Sequence, residues 1–295
     1  MERARPTLDH RGHRIPWQSF GDGPPVLLVH GLGSSGADWA FQIPPLAASR
    51  RVIVPDLRGS GRSAHAPGPY SIARFADDLW ALVDALAIER VDLVGFSLGG
   101  AVALEMALAR PDRVPRLCTI NSLPSYRVDH WRKWVEVHVQ AALVRTLGLP
   151  RVARMVSKRL FPHPHQAPMR ERVMAVLGAN PMRAYLDTAD ALAGWCAGER
   201  IGGLHARTLL VAAEHDYTPL DEKRRWAERM RAEFAVVRGS RHGTPFDAIA
   251  ATNALLAAFL ADTPLPADDA LAIDPPERMP GAPPPGILEA FAAEA

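Results

Sequence analysis

The chain has 295 residues, with 34 basic and 32 acidic side chains (formal net charge +2), 48% hydrophobic and 22% charged. This is the composition of a globular protein long enough for one large domain or one domain with an insertion, and the balanced charge, with no basic run interleaved with aromatics, argues against a dedicated nucleic-acid binder. No apolar run approaches the ~20 residues of a membrane span; the two cysteines, Cys118 and Cys196, give neither a disulfide framework nor a zinc spacing; and Met1-Glu-Arg-Ala-Arg-Pro6 lacks the apolar segment of a secretory signal, so a cytoplasmic protein is expected.

In chain order, His13 to Phe20 reads as a short strand and Gly21-Asp-Gly23 as a turn. Val26 to Val29 is a continuous apolar run suited to a strand buried on both faces. Trp39 to Ala48 reads as a helix interrupted near Pro44-Pro45, and Val52 to Val54 as a second buried strand. From Ile72 to Leu86, the residues Ile72, Phe75, Leu79, Leu82 and Leu86 share one helical face. Val91 to Val94 is a third buried strand, Ala101 to Arg110 a helix, and Val114 to Ile120 a fourth strand. This alternation predicts an α/β architecture with a mainly parallel sheet flanked by helices.

The alternation stops between residues 122 and 204, where helical patterns replace strands. Trp131, Trp134/Val135, His138 and Ala142 mark one helical face; Met169, Val173 and Val176/Leu177 a second; Met182, Tyr185/Leu186, Ala189, Leu192/Ala193 and Cys196 a third. The region is read as a helical cap inserted into a core formed by residues 1–121 and 205–261. Its 12 Lys/Arg against 6 Asp/Glu, counted from Ser122 to Arg200, give it a basic excess. That excess either attracts an anionic acyl substrate or solvates the outer faces of the helices. Arg207 to Ala213 resumes the strand pattern, Leu220 to Met230 is a helix, Phe234 to Val237 a strand and Ile249 to Leu260 a final helix. Residues 262–295 form a Pro-rich tail, with Thr263-Pro-Leu-Pro, Asp274-Pro-Pro-Glu and Ala282-Pro-Pro-Pro-Gly286; within it Ile287 to Phe291 could dock as a short helix.

Chemistry concentrates at Val91-Asp-Leu-Val-Gly95-Phe-Ser97-Leu-Gly99-Gly100. A buried strand ends at a Gly-x-Ser-x-Gly pentad and a helix follows, the layout that lifts a serine out of the sheet plane on a tight turn. Side chains at Gly95 and Gly99 would collide with the neighbouring strand and helix. The Leu98 N–H, at the helix start, is free to face an oxygen near Ser97. A serine hydroxyl also needs a base, an acid to orient that base and an oxyanion hole. Asp216 follows the Arg207–Ala213 strand, and His242 follows the Phe234–Val237 strand.

The chain resembles an α/β-hydrolase-fold serine hydrolase with a helical cap, of the esterase or enol-lactone hydrolase kind, from about Arg11 to Leu260. Three further stretches carry the resemblance: His30-Gly-Leu32-Gly33, similar to the family's oxyanion-hole loop; Asp56-Leu-Arg-Gly59-Ser-Gly61-Arg-Ser63, similar to the loop after its next strand; and Gly95 to Gly100, similar to its nucleophile elbow. The order Ser, Asp, His is the family's. The resemblance implies Ser97 as nucleophile, His242 as base, Asp216 as acid, and the Leu32 and Leu98 N–H groups as oxyanion donors. The family pattern falls on Asp216 rather than Glu214, and Asp221, already inside a helix, is a weaker alternative. His30 is read as a brace for its loop, Asp56 and Arg58 as a structural pair or loop cap, and Trp39 as core packing. Trp131, Trp134 and Tyr185 are candidates to line a substrate pocket. No cofactor or metal is expected; His163 and His165 are close in sequence but lack a third ligand.

The expected activity is hydrolysis of a small-molecule carboxylic ester or lactone through an acyl-serine. A carbon–carbon hydrolase, a perhydrolase and an acyltransferase share the same triad. A small-molecule receptor of this fold is the reading from another class. Dehalogenases and epoxide hydrolases of the family carry an aspartate where Ser97 stands.

Overall fold

The computed structural model describes residues 6–63, 66–273 and 286–291. Eight strands form one sheet: β1 (Thr7–His10), β2 (His13–Phe20), β3 (Pro25–Val29), β4 (Arg51–Pro55), β5 (Asp92–Phe96), β6 (Arg116–Ile120), β7 (Arg207–His215) and β8 (Glu233–Arg241), in the order β1-β2-β4-β3-β5-β6-β7-β8. The hairpin β1–β2 is antiparallel and β2 joins β4 antiparallel; every pairing from β4 to β8 is parallel.

Ten α-helices accompany the strands among the described residues: α1 (Ile43–Ala47), α2 (Ile72–Ala85), α3 (Leu98–Ala109), α4 (Trp131–Leu147), α5 (Leu149–Leu160), α6 (Ala167–Gly178), α7 (Met182–Ala193), α8 (Leu220–Met230), α9 (Thr244–Asp247) and α10 (Ile249–Leu260). The apolar runs read as doubly buried strands are so for a physical reason. Leu27 and Val29 of β3 pack with Phe75, Leu79, Val102 and Met106 of α2 and α3, whereas Val26 and Leu28 pack with Ile43 of α1 and Leu255 and Phe259 of α10. Successive side chains of a strand point to opposite faces, so a strand covered on both must be apolar throughout. Ser71 caps α2, its Oγ accepting the Arg74 N–H at 3.1 Å.

Residues 122–204 contain four α-helices rather than the three helices that periodicity suggests. The additional one, α5, buries Val152 and Ala153 and turns Arg151, Arg154 and Lys158 outward, while Met155 and Arg159 reach the cavity described below. The aromatic face of α4 is its outer face. Trp131 is 68% and Trp134 54% exposed, and Trp134 stacks on His138 at 3.9 Å. The inner face is the smaller set Val137, Ala141 and Val144, and Val144 packs with Leu149, Val152, Leu177, Tyr185 and Leu186 in a cluster that reaches Leu32.

At the C-terminal end, Asp262 pairs with Arg116 and with Arg207. Phe291, on the short turn Glu289–Phe291, is buried against Phe20, ring centroids 6.1 Å apart, with the Arg62 guanidinium 5.5 Å from its ring. Asp274-Pro-Pro-Glu277 and Ala282-Pro-Pro-Pro285 lie outside the described residues.

Candidate active site

Three strand ends build the site. Ser97 follows Phe96, the last residue of β5, and its N–H donates to the Ile120 carbonyl at 2.9 Å. Its φ of 53° and ψ of −119° lie where only glycine is at ease. The two pentad glycines make the turn possible. A Cβ at Gly95 would stand 2.2 Å from the Gly99 carbonyl oxygen, and one at Gly99 would stand 2.1 Å from that of Val29. α3 therefore starts directly behind Ser97, pressed against β3.

β7 and β8 run past the stretches expected from sequence, through a β-bulge, to the pair His215↔Arg241. Asp216 and His242 are the next residue on each strand, so one strand pairing delivers both side chains to the same place. The result is a continuous hydrogen-bonded chain. The Ser97 hydroxyl donates to His242 Nε2 at 3.0 Å, and His242 Nδ1–H donates to Asp216 Oδ1 at 2.5 Å. The tautomer follows from the partners, since a carboxylate beside Nδ1 requires the proton there. Of the neighbouring acids, Glu214 accepts the Gly239 N–H at 2.8 Å instead, and Asp221 lies in the first turn of α8. The imidazole lies between Phe96, tilted at 5.3 Å, and Tyr217, stacked at 4.7 Å.

Behind Asp216 are two residues that the sequence reading missed. The Lys223 ammonium donates to Asp216 Oδ2 and, at 3.2 Å, to Asn121 Oδ1. Asn121 also accepts the Ala213 N–H at 2.7 Å and donates from Nδ2 to the His242 carbonyl at 2.8 Å and to Thr244 Oγ1 at 2.7 Å. The Tyr217 N–H donates to Asp216 Oδ1 at 2.7 Å. Burial pushes the Asp216 carboxyl up, but the bond and charge of His242, with Lys223, outweigh it and hold the group below its ordinary value. The signal for Lys223 was present: it shares the buried stripe of α8 with Ala227 and Met230, where a lysine needs an explanation.

On the other side of Ser97 lies the loop His30-Gly-Leu32-Gly33. A Cβ at Gly31 would meet Phe96 at 3.2 Å and the Ser97 Cβ at 3.5 Å, so this loop runs directly beside the serine. Leu98 is the first residue of α3, where an N–H has no acceptor within the helix. His30 is fully buried: Nδ1 donates to the Gly31 carbonyl and Nε2 accepts the Leu57 N–H, both at 2.9 Å. Burial lowers its proton affinity, as befits a neutral ring bracing two loops. Asp56 and Arg58 do not pair with each other. Asp56 accepts from the Gly36 N–H at 2.8 Å and Arg62 Nε at 2.7 Å, and Arg58 forms a fork with Asp78, both bonds 2.9 Å.

A cavity of about 830 Å³ opens over Ser97 and His242, walled by Leu32 and by residues of α4, α5, α6 and α7. Tyr185 lines it, its hydroxyl accepting from Gln140 Nε2 at 3.2 Å. Trp131 and Trp134 do not line it; they stand on the outer face of α4, whose cavity side includes Val137, Ala141 and Val144. The charged lining is mixed, with Lys133, Arg159 and Arg172 against Asp38, Glu136, Asp190 and Glu222. Burial raises the Asp38 carboxyl to about 6, with Arg172 opposing and Asp56 adding to the rise. Among the described residues no group of three or more His, Cys, Asp and Glu side chains could hold a metal ion, and His163 and His165 simply stack at 5.6 Å. No helix among them is long and apolar enough to cross a membrane.

Comparison with known proteins decides the family. A Caulobacter sp. (strain K31) protein named "Putative carbamate hydrolase RutD" is 30% identical over 264 residues, 86% of this chain and 97% of that protein, and the profile described as alpha/beta hydrolase fold matches residues 24–164. The chain belongs to the α/β-hydrolase fold family. Among solved structures, this α/β-hydrolase is similar to the enol-lactonase from Burkholderia xenovorans LB400, with TM-score 0.79 and 23% identity, covering 87% of this chain and all of that one. It is also similar to a thermophilic esterase from Thermogutta terrifontis, with TM-score 0.72 and 27% identity over 82% of this chain and 91% of that one. The first supports the fold alone; with the second, esterases stand among the hydrolases that this chain resembles.

Proposed function

We propose that this α/β-hydrolase cleaves carboxylic esters or lactones through an acyl-serine, with residues 122–204 acting as a cap over the site. The unbroken hydrogen-bonded chain from Ser97 Oγ through His242 to Asp216 carries the reading. His242 Nε2 takes the Ser97 proton as Oγ attacks the acyl carbon. The carbonyl π bond opens onto its oxygen, which the Leu32 and Leu98 N–H groups receive. Asp216 holds the ring and balances the imidazolium. The imidazolium returns its proton to the leaving alkoxide as the C–O bond breaks, leaving the acyl-enzyme. Water, deprotonated by His242, attacks in turn; collapse expels Ser97 Oγ, which takes the proton back, and the acid departs. A positioned base contributes about 10²–10⁴-fold and each oxyanion donor about 10²–10³-fold.

The cavity argues for an uncharged, apolar acyl or alcohol group rather than an anion. Its walls are chiefly aliphatic, and its three cations face four carboxylates. The basic excess of residues 122–204 is carried on exposed side chains such as Arg151, Arg154 and Lys158 of α5, so solvation of the outer helix faces accounts for it. Chain length is the test. With about 0.8 kcal/mol for each buried methylene, kcat/KM for p-nitrophenyl esters rises about fourfold per CH₂ beyond acetate until the cavity is full. A flat or falling series, or no labelling of Ser97 by a fluorophosphonate, rejects the proposal. A carbamate is the second reading, favoured by the 30% identity to the RutD relative; aryl carbamates belong in the same panel.

A further inference from the structure

Lys223 is the side chain that the triad account leaves unexplained. It has no exposed surface, on a helix whose other buried positions are Ala227 and Met230. An ammonium is taken out of water only where its partners fix it. Here those partners are Asp216 Oδ2 and Asn121 Oδ1. Asp216 thus spends one oxygen on the imidazole and the other on the ammonium. Asn121, with φ at 49°, turns its amide between the two: its oxygen faces Lys223 and its nitrogen holds the His242 carbonyl and Thr244. One amide therefore ties the end of β6, the cation of α8 and the loop carrying the imidazole.

We propose that Lys223 is a positioning residue, held by Asn121, whose charge keeps His242 available as a base at lower pH than an Asp–His pair alone would allow. The inference rests on the triad reading above. In the resting enzyme Lys223 and Asp216 form a neutral pair beside a neutral imidazole. When His242 takes a proton, whether from Ser97 or from solvent, it becomes a second cation close to Lys223, and the two repel. The ammonium therefore opposes protonation of His242 from solvent, which is what ends activity on the acid side. Its absence would leave Asp216 fully negative and draw that proton on. Burial itself lowers the proton affinity of Lys223 while Asp216 raises it, and the direct bond is the reason to regard the group as charged.

The other groups facing this pair are few. Glu222 neighbours Lys223 on α8, and Tyr126, its phenol pushed up to about 12 by burial, faces Asp216. Around the imidazole stand Ser97, Tyr217 with its phenol pushed up to about 12, Asp247 raised to about 6 by burial, Arg241, and Arg159, whose guanidinium lies 4.5 Å over the Tyr217 ring. All of them remain in a Lys223 variant, so a difference between variants isolates Lys223.

The experiment is the pH profile of kcat/KM for a p-nitrophenyl ester, with the fluorophosphonate labelling rate of Ser97 alongside, for the wild type, Lys223→Met and Lys223→Arg. Lys223→Met should move the acid limb up by about one pH unit; because the same relief of repulsion favours proton transfer from Ser97, the plateau should hold or rise and the loss, of less than about tenfold, should appear only below the limb. Lys223→Arg, which keeps the charge, should restore most of the wild-type limb. An unshifted limb with a uniform loss at every pH overturns the proposal, because that is the mark of a structural lysine. If Lys223→Met does not fold, Lys223→Gln takes its place. If neither neutral variant folds, Lys223 belongs to stability and the proposal falls. A wild type that neither turns over esters nor labels at Ser97 would fail differently, removing the hydrolytic reading itself.

Discussion

Replacing Asp38 by Asn measures what it costs to keep a carboxylate in the wall of this cavity. Asp38 is buried beside the loop that carries Leu32, with Arg172 3.8 Å away and Asp56 near by. Burial is the largest influence on it and raises its value from 3.8 to about 6; Arg172 opposes this and Asp56 reinforces it. The folded chain therefore binds this proton more tightly than the unfolded chain does. The stability it confers is full below about pH 4 and is lost as pH rises through about 6. At about 1.4 kcal/mol per pH unit, the difference between 3.8 and about 6 corresponds to about 3 kcal/mol. Asn carries no such proton. Urea titrations of both proteins from pH 4 to 7.5 should give a stability difference that moves by about 2–3 kcal/mol in favour of the variant between pH 4 and 6.5 and is constant above that. Comparing the two proteins removes every other carboxylate that titrates in this window. Parallel curves across the whole range would refute the argument that burial dominates at this site.

Ser97→Ala should lower ester turnover by about 10⁴-fold or more and abolish fluorophosphonate labelling, with circular dichroism unchanged; undiminished turnover would remove the serine from the mechanism. Asp78→Ala leaves Arg58 buried without its fork partner and should cost about 3–5 kcal/mol in chemical denaturation, whereas a loss below 1 kcal/mol would mean that water reaches the guanidinium. Val144→Phe fills part of the cavity beneath α4, so the ester-length optimum should shorten while acetate turnover is spared, and an unchanged optimum would place the acyl chain elsewhere.

The sheet and the reactive turn were legible in the sequence because their causes are local. Four apolar runs, a glycine on either side of Ser97 and a helix behind it leave few alternatives, and those runs became β3, β4, β5 and β6. The far ends of β7 and β8 were not legible, since Glu214 and His215 on one and Gly239 and Ser240 on the other are polar and read as loop. Only the pairing between the two strands keeps them extended. The face of α4 was misjudged because aromatic size resembles burial. Trp131 and Trp134 face outward, and the smaller Val137, Ala141 and Val144 turn in, the spacing that lets α4 lie close over neighbouring helices. α5 escaped notice because its basic residues mask Val152 and Ala153. Lys223 escaped because its partners lie 7 and 102 positions away, a proximity that only the fold creates.

The left-handed seat of Ser97 has a consequence for anyone who tries to harden this protein against heat. Backbone held at φ 53° costs about 1–3 kcal/mol for a residue with a Cβ, and glycine in the same place would recover much of that. A library ranked by melting temperature alone would therefore favour Ser97→Gly, which under the proposed acyl-serine mechanism is a sturdier molecule without its nucleophile. Selection for robustness and selection for reactivity pull this one position in opposite directions, and an engineering campaign has to assay both at every round.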